Sequence, residues 1–180
     1  MYHHVSPAPG LVTVSPATFR AQMSWLARHG YRSVGADDLA AFLEGQALPA
    51  KSVMITFDDG YLDNWVHAHP VLAELGLSAT LFVVTGWLGD GPVRPYAGQR
   101  ETPPACPDHR TCMERIRADA ADEVMLRWSE VEAMRAAGTF EFHSHTHTHT
   151  RWDKQVADPA ERDRRLGADL LLSQIGRAHV

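Results

Sequence analysis

Two cysteines, Cys106 and Cys112, are all that 180 residues contain, too few for a disulfide framework. No apolar run approaches the length of a membrane span. Acidic residues outnumber basic ones by 22 to 17, and the net charge of -5 argues against a nucleic-acid binder held by phosphate contacts. The opening MYHHVSPAPG has neither the basic start nor the apolar stretch of a signal peptide. As written, the chain is therefore expected to stay in the cytoplasm. Internal repeats and composition breaks are also missing, which leaves one domain over 1–180, expected to act as a monomer. What is present is ordinary for a globular protein: 44% apolar and 22% charged residues, in a chain long enough to bury a core.

Strand and helix signals alternate along the chain. The opening MYHHVS (1–6) reads as a first strand. Ser15-Pro16 gives an N-cap followed by proline, and Phe19, Met23 and Leu26 share one face, so 16–29 is expected to be helical. A shorter helix is expected over 35–45. The apolar run 52–57 reads as a buried strand, 61–75 as a helix disturbed at Pro70, and 78–87 as a second buried strand. Residues 88–123, rich in Pro, Gly and charge, read as an excursion from the core with a short helix near 112–120. Ser129 and Glu132 suggest a capping box for a helix through Ala137. A strand follows over 139–145. Asp158-Pro159 opens a last helix with Leu166, Leu170 and Leu171 on one face. This alternation predicts an α/β fold with a parallel sheet.

Two polar clusters end predicted strands. TFDDGY (56–61) sets Asp58 and Asp59 before a glycine. EFHSHTHTHT (141–150) sets His143, His145, His147 and His149 at alternate positions. By itself DDG is a common turn, and a histidine run needs no partner. In open α/β sheets and barrels, however, chemistry gathers at the carboxyl ends of strands, so both clusters are expected on one face. Zinc binds imidazole nitrogen at about 2.0–2.1 Å. An extended run would hold positions i and i+4 roughly 13 Å apart, too far for one ion. The chain must coil there, which brings together either His145 with His149 or His143 with His147. Spacing alone does not choose between these pairs.

TFDDGY followed by SHTHTH resembles the polysaccharide deacetylases, the carbohydrate esterases with a NodB homology domain. YHHV and the helix after it are nearest to the branch acting on poly-β-1,6-N-acetylglucosamine. The resemblance implies a distorted (β/α) barrel with a NodB core over about 51–180. It implies His145, His149 and Asp59 as metal ligands and Asp58 as catalytic base. The ion would be divalent, zinc first, with cobalt and nickel as alternatives. The activity implied is hydrolysis of N-acetyl groups on an N-acetylglucosamine-containing polysaccharide. His143 and His147 lie where the family pattern requires no histidine.

The family's later motifs are not matched. Arg162, Arg164 and Arg165 lie near the place of the third motif without its proline-aromatic strand, and His179 is too close to the end to be the family's late proton donor. The expectation is a C-terminally truncated barrel that binds metal and turns over poorly or not at all. The rival reading is a binding module in which the histidines hold metal and Asp58 does nothing. Among lesser candidates, Cys106, His109 and Cys112 lack C-x-x-C spacing and are expected to be plain loop. His3 and His4 are expected to be strand-end residues, Trp65 and Trp87 core, and Trp152 the tryptophan best placed to line a cleft.

Overall fold

The computed structural model describes residues 1–174. Its centre is a three-stranded parallel sheet in the order β5-β6-β7, formed by Thr56–Asp59, Ala79–Val83 and Phe140–Ser144. Two smaller parallel pairs flank it: β1 (His4–Val5) with β2 (Thr13–Val14), and β3 (Arg32–Ser33) with β4 (Ser52–Val53). A single bridge, Tyr2 to Phe57, joins the first pair to β5. The fold is thus mixed α/β. The expected barrel closure is not seen among the described residues, because two-residue ladders and one bridge do not extend the central sheet into a ring. The apolar run 52–57 divides between β4 and β5 rather than forming one strand.

Helix α1 (Pro16–Arg28) begins as its caps dictate. Ser15 accepts from the Thr18 N–H, Pro16 fills the first turn, and Phe19 and Met23 are buried. Helix α2 (Ala36–Leu43) follows. The helix expected over 61–75 is broken. Asn64–Ala68 form a wide turn closed by His69 N–H to the Asn64 carbonyl, and α3 (His69–Leu75) starts only there. Pro70 has no N–H and would crowd the carbonyl four residues back, and the wider turn relieves that crowding.

Two guanidiniums, those of Arg94 and Arg127, tie down the excursion, Arg127 through Asp122 and the Pro92 carbonyl. Arg94 bonds both oxygens of Glu130, which is fully buried, and the carbonyls of Asp122 and Met125. Its helix α4 is His109–Arg117, three residues earlier than expected, because Asp108 caps it through the Thr111 N–H. The start of α5 (Trp128–Ala136) is also corrected. Glu130 accepts from the Arg127 N–H, while Ser129 lies inside the helix and donates to the Gly91 carbonyl. A short α6 (Trp152–Gln155) was not expected.

The last helix, α7 (Pro159–Leu172), is capped by Asp158 as expected but buries a different face. Leu166, Leu170 and Leu171 are 37%, 47% and 68% exposed, whereas Asp169 is 3% exposed. Among the described residues no helix is long and apolar enough to cross a membrane.

Candidate metal centre

Strand register sets up the site. Asp59 lies level with Val83 of β6, and Val83 level with Ser144 of β7. The ends of β5 and β7 are therefore aligned across one intervening strand, about 9–10 Å apart at the usual strand spacing. Side chains turned inward from both ends can meet over the end of β6.

They do so through unusual backbone. Asp59 is left-handed at φ 75°, and Gly60 follows at 89°. Beyond β7, Thr146 and His149 are left-handed at 69° and 57°. Such positions are uncommon for non-glycine residues and gather at functional sites. They coil the histidine run instead of extending it. His145 Nε2 and His149 Nε2 each lie 3.6 Å from Asp59 Oδ1, and the two imidazole centroids are 5.1 Å apart. One ligand atom from each of the three residues lies within 4.8 Å of the others. Asp59 is 4% exposed, yet its Oδ1 has no hydrogen-bond partner. A buried carboxylate oxygen left bare between two imidazoles is costly unless a cation completes it. The donor set, one carboxylate and two imidazoles, suits a divalent ion and leaves coordination positions open.

His143 and His147 do not join this cluster. His143 lies 3.7 Å from Glu141, and His147 Nδ1 is 3.0 Å from Thr85 Oγ1. The loop is built around them. Thr146 N donates to Ser144 Oγ, and His149 N donates to Thr146 Oγ1. Thr85 N and Gly86 N donate to the carbonyls of Thr146 and His147. A Cβ on Gly86 would stand 2.5 Å from the His147 carbonyl oxygen, so only glycine lets the two segments pair. On the far side Asp169 accepts from the N–H groups of His147 and Thr148. Nothing in the sequence marks Asp169 for this role, since it is a lone acid among leucines.

Asp58 is half-buried beside the cluster. Its Oδ2 lies 3.9 Å from His3 Nε2, and its backbone N–H donates to the Tyr2 carbonyl. His3 and His4, both read from sequence as strand-end residues, thus diverge. His3 approaches Asp58, while His4 is buried, with Nδ1 2.6 Å from Asp63 Oδ2 and Nε2 3.1 Å from His109 Nδ1. The Asp63 carboxylate only accepts, so His4 Nδ1 carries a proton. Burial, reinforced by His4, holds the His109 pKa below the usual imidazole value. Burial and the Asp59 charge push the Tyr61 hydroxyl well above the usual tyrosine range.

The tryptophan expectations are partly reversed. Trp65 is core, with Nε1 donating to the Arg94 carbonyl. Trp87, also expected in the core, stands edge-on to His149 with centroids 5.1 Å apart. Trp152, the tryptophan read as best placed to line a cleft, donates Nε1–H to Asp169 and lies under the Arg165 guanidinium. Cys106 and Cys112 are free and buried, and burial pushes the Cys112 thiol up to about 12. Cys112 lies inside α4 rather than in plain loop.

A buried acid turned toward two histidines of a coiled loop, at the carboxyl ends of parallel strands, is an arrangement that could hold a metal ion in an α/β protein. A sequence profile of the polysaccharide deacetylases matches residues 45–176, and the chain belongs to that family. It is 39% identical over 90 residues to the putative polysaccharide deacetylase YxkH of Bacillus subtilis, covering 49% of this chain and 32% of that protein. It is 32% identical over 78 residues to the poly-β-1,6-N-acetyl-D-glucosamine N-deacetylase of Escherichia coli K12, covering 43% of this chain and 12% of that one. The chain thus spans a third or less of these relatives. The structure of IcaB from Ammonifex degensii superposes with a TM-score of 0.68 at 27% identity, over 96% of this chain and 64% of that one. The BpsB deacetylase domain from Bordetella bronchiseptica shares the fold at a TM-score of 0.61 and 17% identity, over 96% of this chain and 71% of that domain.

Proposed function

We propose that the chain hydrolyses N-acetyl groups on an amino-sugar polymer, with Asp59, His145 and His149 holding a divalent metal, zinc first. The observation that carries this reading is the orphaned Asp59 Oδ1 facing two imidazole nitrogens. The relatives named poly-β-1,6-N-acetyl-D-glucosamine N-deacetylase supply the substrate class. When bound, the metal lowers the pKa of water and polarises a carbonyl. Asp58, next to the ligand Asp59 but outside the ligand set, accepts the proton of the attacking water. The departing amine needs a proton in return. His3 Nε2 lies 3.9 Å from Asp58 Oδ2, and His3 is assigned the role of donor. Asp58 takes the water's proton as the C–O bond forms, His3 gives its proton to the nitrogen as the C–N bond breaks, and transfer of a proton from Asp58 to His3 restores the pair. Trp87 packs against the proposed ligand His149, with ring centroids 5.1 Å apart.

The test is acetate release from N-acetylglucosamine oligomers by the zinc-loaded chain and by Asp58→Asn and His3→Ala. General acid and base groups each contribute roughly 10²–10⁴-fold. Both variants should lose turnover on that scale while keeping metal content. Turnover unchanged in Asp58→Asn would reject the base assignment. Zinc retained with no acetate released by the unsubstituted chain would favour the rival, a metal-binding module without catalysis.

A further inference from the structure

The geometry points to Asp169, on the C-terminal helix α7, as the positioning residue that couples this helix to the metal-ligand loop. The inference rests on the metal-site reading above and extends it to residues that touch no ligand. Asp169 is 3% exposed, so its carboxylate needs donors from the protein. All four come from one place. Oδ1 accepts from His147 N at 3.0 Å and Thr148 N at 2.9 Å. Oδ2 accepts from Thr148 Oγ1 and Trp152 Nε1, each at 3.0 Å. Two consecutive backbone N–H groups aimed at one oxygen form an anion-binding concavity, which requires residues 147 and 148 to turn. These are the residues between His145 and His149. Their turn replaces the extended run that would hold the two ligands roughly 13 Å apart.

One helical turn further, Ser144 Oγ donates to Ser173 Oγ at 2.7 Å. The loop is therefore gripped at its root and at its midpoint by the same segment. Asp169 reaches no metal itself and acts by fixing the backbone that aims His145 and His149. Coupling of this kind is reciprocal: if α7 holds the loop for the metal, bound metal must hold the loop for α7.

The experiment measures zinc affinity by chelator competition, and the visible spectrum of the cobalt form, in the full chain and in Asp169→Ala, Asp169→Asn and Val131→Ala. Partners outside the ligand set typically matter 10- to 100-fold in metal affinity. Asp169→Ala should weaken zinc binding by about that factor and alter the cobalt spectrum. Asp169→Asn keeps an acceptor for the two N–H groups but sets an amide against Trp152, and should fall between. Val131→Ala removes a buried core side chain of α5, outside the loop and α7, and should lower stability with the affinity unmoved. Wild-type affinity and spectrum in both Asp169 variants would overturn the coupling alone. No zinc binding by the unsubstituted chain would overturn the metal site and the coupling with it. Should the variants not fold, hydrogen exchange on the unsubstituted chain decides. Zinc should slow exchange in residues 146–150 and also in α7, and protection of the loop without α7 would overturn the inference.

Discussion

Two aspartate–histidine clusters lie on neighbouring segments, and they differ in one respect that separates architecture from chemistry. In the first, both oxygens of Asp63 are satisfied: Oδ2 faces His4 Nδ1 at 2.6 Å, and Oδ1 accepts from Val5 N and Asn64 Nδ2. His4 passes the chain on to His109. In the second, Asp59 is equally buried, but its Oδ1 has no partner and two imidazoles stand 3.6 Å away. The first arrangement locks β1 to the turn after β5. The second leaves a buried carboxylate oxygen without a hydrogen bond, and its left-handed backbone adds to the cost. A fold keeps such a group where a ligand completes it.

The sharpest way to break this comparison is to neutralise one acid in each cluster. Asp59→Asn keeps a residue tolerant of the left-handed backbone and removes the charge. Zinc binding should be lost outright in equilibrium dialysis, while the urea midpoint of the metal-free chain should not fall, since the bare buried oxygen contributes no bond. Asp63→Ala should do the reverse. Removing one partner of a buried pair costs about 3–5 kcal/mol, read as a lower urea midpoint, and any folded fraction should still bind zinc. A large stability loss in Asp59→Asn would show that the bare oxygen is structural and would collapse the distinction.

A smaller effect tests how the second cluster is held. Gly86→Ala places a Cβ 2.5 Å from the His147 carbonyl. Overpacking of this kind costs about 1–3 kcal/mol. The strain falls on the histidine loop, so zinc affinity should weaken while the Asp63 cluster stays intact. Nuclear magnetic resonance shifts confined to 144–150 and 84–87 would agree, and wild-type affinity would show that the loop does not depend on this close approach.

The three candidate ligands stand out in the sequence because each sits where a hydrophobic strand runs into polar residues, and strand ends carry chemistry in parallel sheets. The choice of His145 and His149 over His143 and His147 came from family resemblance. Its physical basis is the left-handed Thr146, which a string of letters does not display. Asp169 was hidden for a related reason. The periodicity of α7 advertises Leu166, Leu170 and Leu171, yet the helix buries its acid because the loop's N–H groups demand an acceptor. The break before α3 and the Arg127–Glu130 cap were missed because neighbours fix both. Pro70 alone does not say where the wide turn falls, and Ser129 is drawn off by the Gly91 carbonyl.

The smallest expected effect concerns a histidine that belongs to neither cluster. His69 is 5% exposed, stacks on Trp65 with centroids 4.7 Å apart, and has Nδ1 2.8 Å from Thr139 Oγ1. Thr139 Oγ1 donates onward to the Met134 carbonyl, so it accepts from His69 Nδ1–H. No carboxylate accompanies this pair, and burial holds the His69 pKa below the usual imidazole value. As pH falls through the ordinary value of about 6.5, the unfolded chain takes up this proton before the folded chain does. The stability is therefore fully present above about pH 6.5 and is lost as pH drops toward the folded pKa, by at most about 1.4 kcal/mol per pH unit for one group. Burial also lowers His67 and His109, so some acid sensitivity remains without His69. His69→Phe keeps the stack on Trp65 and removes the titration. Urea melts of the metal-free chain between pH 7.5 and 5.5 should show a shallower loss in this variant than in the unsubstituted chain. Equal slopes would mean that His69 charges in the folded state as easily as in the unfolded one, and that a buried imidazole here needs no carboxylate to carry its proton.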